Sequence, residues 1–253
     1  MTARPRRSVL ACAIFAASVT GALAGCSSSD TPLTPTTAAS ATTTAAVPPA
    51  GVKPSSTPES ERTLFDAVDR NDPAAVTAAL TAGANIEARG EGERTPLVEA
   101  TKNNAVAAAS TLILAGADVN AKDSMQDSAF LYSGAEGLNE ILALTLSHGA
   151  DVDSVNRYGG TALIPASEHA HVETVRMLIA AGVPVNHVND PGWTALLEAV
   201  VYGDGSARYV DVITQLLDAG ADPSIRDASG KTALDNAESR GQSDVVALLQ
   251  SRS

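Results

Sequence analysis

Two histidines, His169 and His171, stand two residues apart between the carboxylates Glu168 and Glu173. Imidazole and carboxylate are zinc ligands, so a metal would be sought here first. A metal site needs further ligands converging from another segment, and no cysteine follows Cys26 to supply them. The pair is therefore expected in a turn between two helices, with no metal. Aspartates also recur, at Asp118, Asp151 and Asp222, and regular carboxylates invite a calcium reading. Each of them falls where a helix ends and a turn begins, where Asp bonds its own backbone. There is no Gly-x-Ser-x-Gly, no phosphate-binding glycine loop and no His-Glu-x-x-His. The sequence carries no catalytic residue, calls for no cofactor and does not read as an enzyme.

What would position any of these groups is a repeat. Gly83, Gly116, Gly149 and Gly182 follow one another at 33 residues, and Gly220 after 38. Thr95, Ser128, Thr161, Thr194 and Thr232 each lie 12 residues after one of these glycines. Two motifs in one register indicate a stack of like supersecondary units. In the unit from Thr161 to Asn189, Thr161 can cap a first helix that ends near Ala170. Val172, Val175, Leu178 and Ile179 mark a second helix that stops at Gly182, where a missing Cβ permits a left-handed residue. An extended stretch, 183–190, returns the chain to the next unit. Five extra residues near Gly203-Asp204-Gly205-Ser206-Ala207 account for the 38-residue gap and fall in a turn that tolerates insertion.

These residues resemble the ankyrin-repeat family. Thr95-Pro96-Leu97 matches the start of its Thr-Pro-Leu-His signature, and Gly116-Ala117-Asp118-Val119-Asn120-Ala121 matches its repeat ending. The resemblance covers residues 61–253 and implies an all-α solenoid. About six units begin near Glu61, Arg94, Asp127, Gly160, Trp193 and Lys231, each a helix-turn-helix with a β-hairpin finger. The signature histidine is replaced by Asp66, Val98, Leu131, Ile164, Leu197 and Asp235, so looser coupling between hairpins is expected. Pro165 falls inside the first helix of unit four, where it is expected to remove a backbone donor after the first turn. Asp123, Asn156, Asn189 and Asp227 occupy the family's finger-tip turn.

The resemblance also implies a contact surface on the fingers and the concave inner-helix face. Its finger positions include Arg89, Arg94, Lys122, Met125, Arg157, Tyr158, Asp190, Trp193 and Arg226. Its helix positions are Lys102, Glu136, Glu168, His169 and Tyr202. The chain's single Trp and two of its four Tyr fall in this set, and such residues anchor interfaces. The net charge of −12 disfavours nucleic acid and suits a basic protein partner.

The amino terminus reads as an export signal. Arg4, Arg6 and Arg7 precede an uncharged run, 8–24, too short for the ~20 residues of a membrane span. Leu23-Ala24-Gly25-Cys26 resembles the bacterial lipoprotein box, which implies cleavage after Gly25 and a diacylglycerol on Cys26. Arg6-Arg7 loosely resembles a twin-arginine signal, but a general secretory signal with two ordinary basic residues is the preferred reading. Residues 26–60 are rich in Ser, Thr and Pro with few large apolar groups, and read as a disordered tether. Its reach as a flexible coil is roughly 30–35 Å. The chain is thus expected to be a monomeric binding module on the extracytoplasmic side of a cell membrane, in contact with lipid through its anchor alone. The competing expectation is a stoichiometric inhibitor or immunity protein that masks an envelope or secreted enzyme.

Overall fold

The computed structural model describes residues 55–252. The export signal, Cys26 and the tether as far as residue 54 lie outside the described residues. Twelve α-helices among the described residues form six antiparallel pairs. They are α1 (Pro58–Asp69) with α2 (Pro73–Thr81), α3 (Pro96–Lys102) with α4 (Val106–Leu114), and α5 (Ala129–Ala135) with α6 (Asn139–Ser147). Then come α7 (Leu163–Glu168) with α8 (Val172–Ala180), α9 (Ala195–Val201) with α10 (Ala207–Asp218), and α11 (Ala233–Arg240) with α12 (Ser243–Ser251). Odd-numbered helices stack on odd and even on even, so the fold is an all-α solenoid of six repeats.

One register builds the core. Leu64, Leu97, Phe130, Leu163 and Leu196 repeat at 33 residues and are buried. Ala67, Ala100, Ser133, Ala166, Ala199 and Ala237 are buried where consecutive inner helices meet, so small side chains set the close approach. At Gly134 a Cβ would sit 2.8 Å from the Ala162 Cβ, too close for any larger residue without movement.

The caps explain where inner helices start. Thr95, Ser128, Thr194 and Thr232 accept, at Oγ, the N–H of the third residue on. Thr161 does not, contrary to expectation. In the other repeats the fourth residue, Glu99, Tyr132, Glu198 or Asn236, donates its N–H to the cap carbonyl. Pro165 holds that position and has no N–H. Ile164 N–H turns instead to the Thr161 carbonyl at 3.2 Å, and Thr161 Oγ1 is left buried without a partner. The proline lies in the first turn of α7, not beyond it.

Three further expectations are corrected. The first helix begins at Pro58, ahead of Glu61, because Thr57 and Ser60 form a capping box and Pro58 suits the first helical position. The fingers contain no β-strand among the described residues. Each closes with two backbone bonds, such as Asp123 N–H to Asp127 O at 2.9 Å with Gln126 N–H to Asp123 O at 3.0 Å, and Asn156 N–H to Gly160 O at 2.9 Å with Gly159 N–H to Asn156 O at 3.0 Å. The tip side chain takes over the remaining work: Asp123 Oδ1 accepts from Met125 and Asp127, and Asp227 Oδ1 from Ser229 and Lys231. The insertion in unit five is not a passive loop. It lengthens α10 to 12 residues against nine in α8, and the added turn carries Arg208 and Tyr209. Those side chains donate to the His169 and Glu168 carbonyls at the end of α7. From the other side, Gln242 Nε2 donates to the Val200 and Gly203 carbonyls.

Candidate functional site

The finger cations of the first units are turned inward on the stack. Arg89 Nη1 donates to Glu93 O at 2.8 Å and to Lys122 O at 2.7 Å. Lys122 Nζ donates to Val155 O at 2.8 Å. Arg94 pairs with Glu99 at 3.1 Å, and Arg226 Nη1 donates to Gly230 O at 2.7 Å. Lys102 is held most firmly, 2.7 Å from Asp127 and 3.2 Å from Asp123, with its ammonium 4.4 Å from the Tyr132 ring centroid. Arg89 and Lys122 thus staple neighbouring fingers, Lys102 ties α3 to the finger after α4, and Arg94 and Arg226 bond within their own units. Met125 stands exposed on its finger.

The lost signature histidine is replaced by other ties. Asn120 Nδ2 donates to Gly149 O while its Oδ1 accepts Asp151 N–H. Asn186 does the same with Gly220 O and Asp222 N–H. Glu87 accepts Asp118 N–H, and His187 Nε2 donates to Gly159 O. The recurring Asp118, Asp151 and Asp222 each accept the N–H two residues on, as expected of turn residues. The Asn clamp is absent from two junctions: at the first, Glu87 supplies the single bond above, and at the third neither half of the clamp can form. There Asp153 stands in the Asn position and Pro184 in the Asp position, so neither the amide donor nor the backbone N–H exists.

The aromatic fingers differ. Tyr158 and Tyr202 are 53% and 57% exposed, and Trp193 is half-buried with its ring 6.2 Å from Tyr202. Arg157 lies over the Tyr158 ring at 4.7 Å. Asp190 N–H donates to Tyr158 O, which fixes one finger against the next. Between these groups and the inner helices lies a cleft of 310 Å³. Arg157, Tyr158 and Tyr202 line its rim; Tyr132, Pro165 and Glu198 line its inner-helix wall. Glu136, Glu168 and His169 contribute from the ends of α5 and α7.

The cleft exists because of a subtraction. Glu99, Tyr132, Pro165 and Glu198 occupy one 33-residue register. Where neighbouring units place a long side chain, unit four places a proline ring, and the space beside it opens. Tyr132, Pro165 and Glu198 escaped the resemblance-based contact list; reading this register down the repeats would have found them. Glu198 is only 8% exposed and accepts from Asn189 Nδ2 at 3.2 Å. Burial, reinforced by the nearby Glu168 charge, pushes its carboxyl up to about 7.

His169 and His171 sit in the connector between α7 and α8, their rings edge-on at 5.6 Å. Burial, then the neighbouring His169, lowers the pKa of His171. Among the described residues no group of three or more His, Cys, Asp or Glu converges as a metal site. No helix among them is long and apolar enough to cross a membrane.

Comparison with known proteins places this geometry. The family model for ankyrin repeats in three copies matches residues 129–227, and the single ankyrin-repeat model matches 92–124. A crystal structure of an ankyrin repeat domain from Acinetobacter baumannii AYE is 52% identical, with a TM-score of 0.73 over 75% of this chain and 96% of that one. A second solved ankyrin repeat protein is 39% identical, with a TM-score of 0.72 over 75% of this chain and 97% of its own.

Proposed function

Since this chain belongs to the ankyrin-repeat family, we propose that it is a protein-binding module, without catalysis, held at the extracytoplasmic face of a membrane by a lipid on Cys26. Proteins of this family are in general non-catalytic binding modules. The observation that carries the binding reading is the aromatic cleft on the inner face. Tyr158 and Tyr202 expose more than half their surface beside it, although large aromatics are costly to leave in water. The membrane reading is supported by the basic n-region, the short apolar run and the box ending at Cys26.

Photo-crosslinking on intact cells, with probes at Tyr158 and Trp193, tests the binding reading. One recurrent protein lost on Trp193→Ala, in a variant whose circular dichroism is unchanged, is the expected result. Absence of any captured protein overturns it. Metabolic labelling with a radioactive fatty acid tests the anchor: label is expected in the wild type and absent in Cys26→Ser. Unlabelled wild-type protein removes the lipid from the reading.

A further inference from the structure

We propose that the cleft beside Pro165 receives the cationic side chain of an arginine or lysine from the protein partner, an assignment that rests on the binding-module reading above. The size fits one side chain, since 310 Å³ lies at the lower end of the ~300–1,000 Å³ range for small-molecule pockets. The walls fit a cation. Three of the four tyrosines line the cleft, and ring faces attract ammonium and guanidinium groups, more so where water is excluded. Lys102 already lies over Tyr132 and Arg157 over Tyr158, which leaves Tyr202 as the ring without a cation of its own.

The charges fit too. Asp127 is neutralised by Lys102, but Glu136 and Glu168 have no ion pair among the described residues. Glu198 is buried next to Glu168 with a single, neutral amide donor, an arrangement in which a positive group relieves both desolvation and repulsion. Among the described residues the one Lys or Arg on the rim, Arg157, is drawn onto Tyr158. An anionic ligand would meet the unpaired carboxylates of Glu136 and Glu168 for that single guanidinium. A net charge of −12 over the chain would also draw a basic partner toward the cleft before contact.

The same geometry already appears once inside the molecule. Lys102 Nζ sits over the Tyr132 ring and between two carboxylates, Asp123 and Asp127. One repeat further on, the cleft offers an aromatic face and carboxylates with no lysine of its own to fill them.

Capped Gly-Ser-Arg-Ser-Gly and its citrulline twin, titrated into the full chain, provide the test. The readouts are the fluorescence of Trp193, the only tryptophan, and amide chemical shifts. The arginine peptide is expected to shift Trp193 and the amides of Glu198 and Tyr202, and the citrulline peptide to leave them unmoved. Glu198→Gln and Glu168→Gln should each weaken arginine-peptide binding by roughly tenfold with the thermal transition retained. Equal response to citrulline, or shifts confined to other faces, overturns the assignment. Butylguanidinium binding as tightly as the peptide gives the pocket to a free small cation and overturns the protein source. If cells still yield the crosslinked partner undiminished from the Glu168→Gln/Glu198→Gln double variant, the cation pocket falls while the binding module stands. If no partner is captured even by the wild type, the module reading itself fails.

Discussion

Ala170 holds a left-handed φ of 50° in the connector of unit four, where Asn71, Asn104 and Gly137 stand in the same register. An alanine Cβ in that conformation costs roughly 1–2 kcal/mol, and glycine escapes it at a smaller cost in unfolded-state entropy. Ala170→Gly is therefore expected to raise stability by about 1 kcal/mol, read as a higher urea midpoint. Glu198 provides a second residue-scale prediction. Its carboxyl rises from 4.5 to about 7 on folding. Between those values the folded chain keeps a proton that the unfolded chain has lost, so stability falls as pH rises from below 4.5 through 7 and then levels. This single group contributes a decline on the order of 3 kcal/mol. In Glu198→Gln that step should vanish from a stability profile between pH 5 and 8; a profile that keeps it would assign the dependence elsewhere.

At the scale of elements, α7 is the shortest inner helix and lacks a side-chain cap, and its neighbours tie it down. Pro165 takes one donor from the first turn and strands Thr161 Oγ1, while Arg208 and Tyr209 tie down the last carbonyls. Pro165→Ala restores an N–H that can reach the Thr161 carbonyl, and frees Ile164 N–H for Thr161 Oγ1. A net hydrogen bond is worth about 0.5–1.5 kcal/mol and the buried unsatisfied hydroxyl adds to it, against a loss of unfolded-state rigidity. The expected result is a gain of about 1 kcal/mol, with slower amide exchange at Ile164. Tyr209→Phe acts at the other end: losing the 2.9 Å bond to Glu168 O should cost about 1 kcal/mol and speed exchange in α7. Element positions were legible because capping threonines and turn glycines keep strict spacing. The α7 start was misread because capping depends on the donor four residues on as well as on the cap residue.

Across the whole molecule the repeat register shows the fold directly, since one spacing sets helix, turn and core together. The candidate cleft was only half legible. Tyr158, Trp193 and Tyr202 stand out as aromatics at finger and helix ends, but the space between them comes from what Pro165 lacks. Likewise Arg89 and Lys122 read as partner residues, because sequence does not show that a long cation reaches the next finger's carbonyl. The stack is also unevenly fastened. Its buried apolar residues form two clusters that part within unit three, with Ala129 and Ile141 in one and Phe130 and Leu142 in the other. Just past that seam, between the fingers that follow α6 and α8, the Asn clamp is missing on both sides at Asp153 and Pro184. The Asn120 clamp uses two bonds, from Nδ2 to Gly149 O and from Asp151 N–H to Oδ1. Asp153→Asn alone supplies only the first, to the Gly182 carbonyl, and Pro184→Asp alone leaves Asp153 repelling a new carboxylate. The two together should therefore be non-additive, with a coupling of about 1 kcal/mol in a double-mutant cycle of urea unfolding. Strictly additive single effects would show that no clamp forms there, leaving the His187–Gly159 and Asp190–Tyr158 bonds and packing to join those fingers.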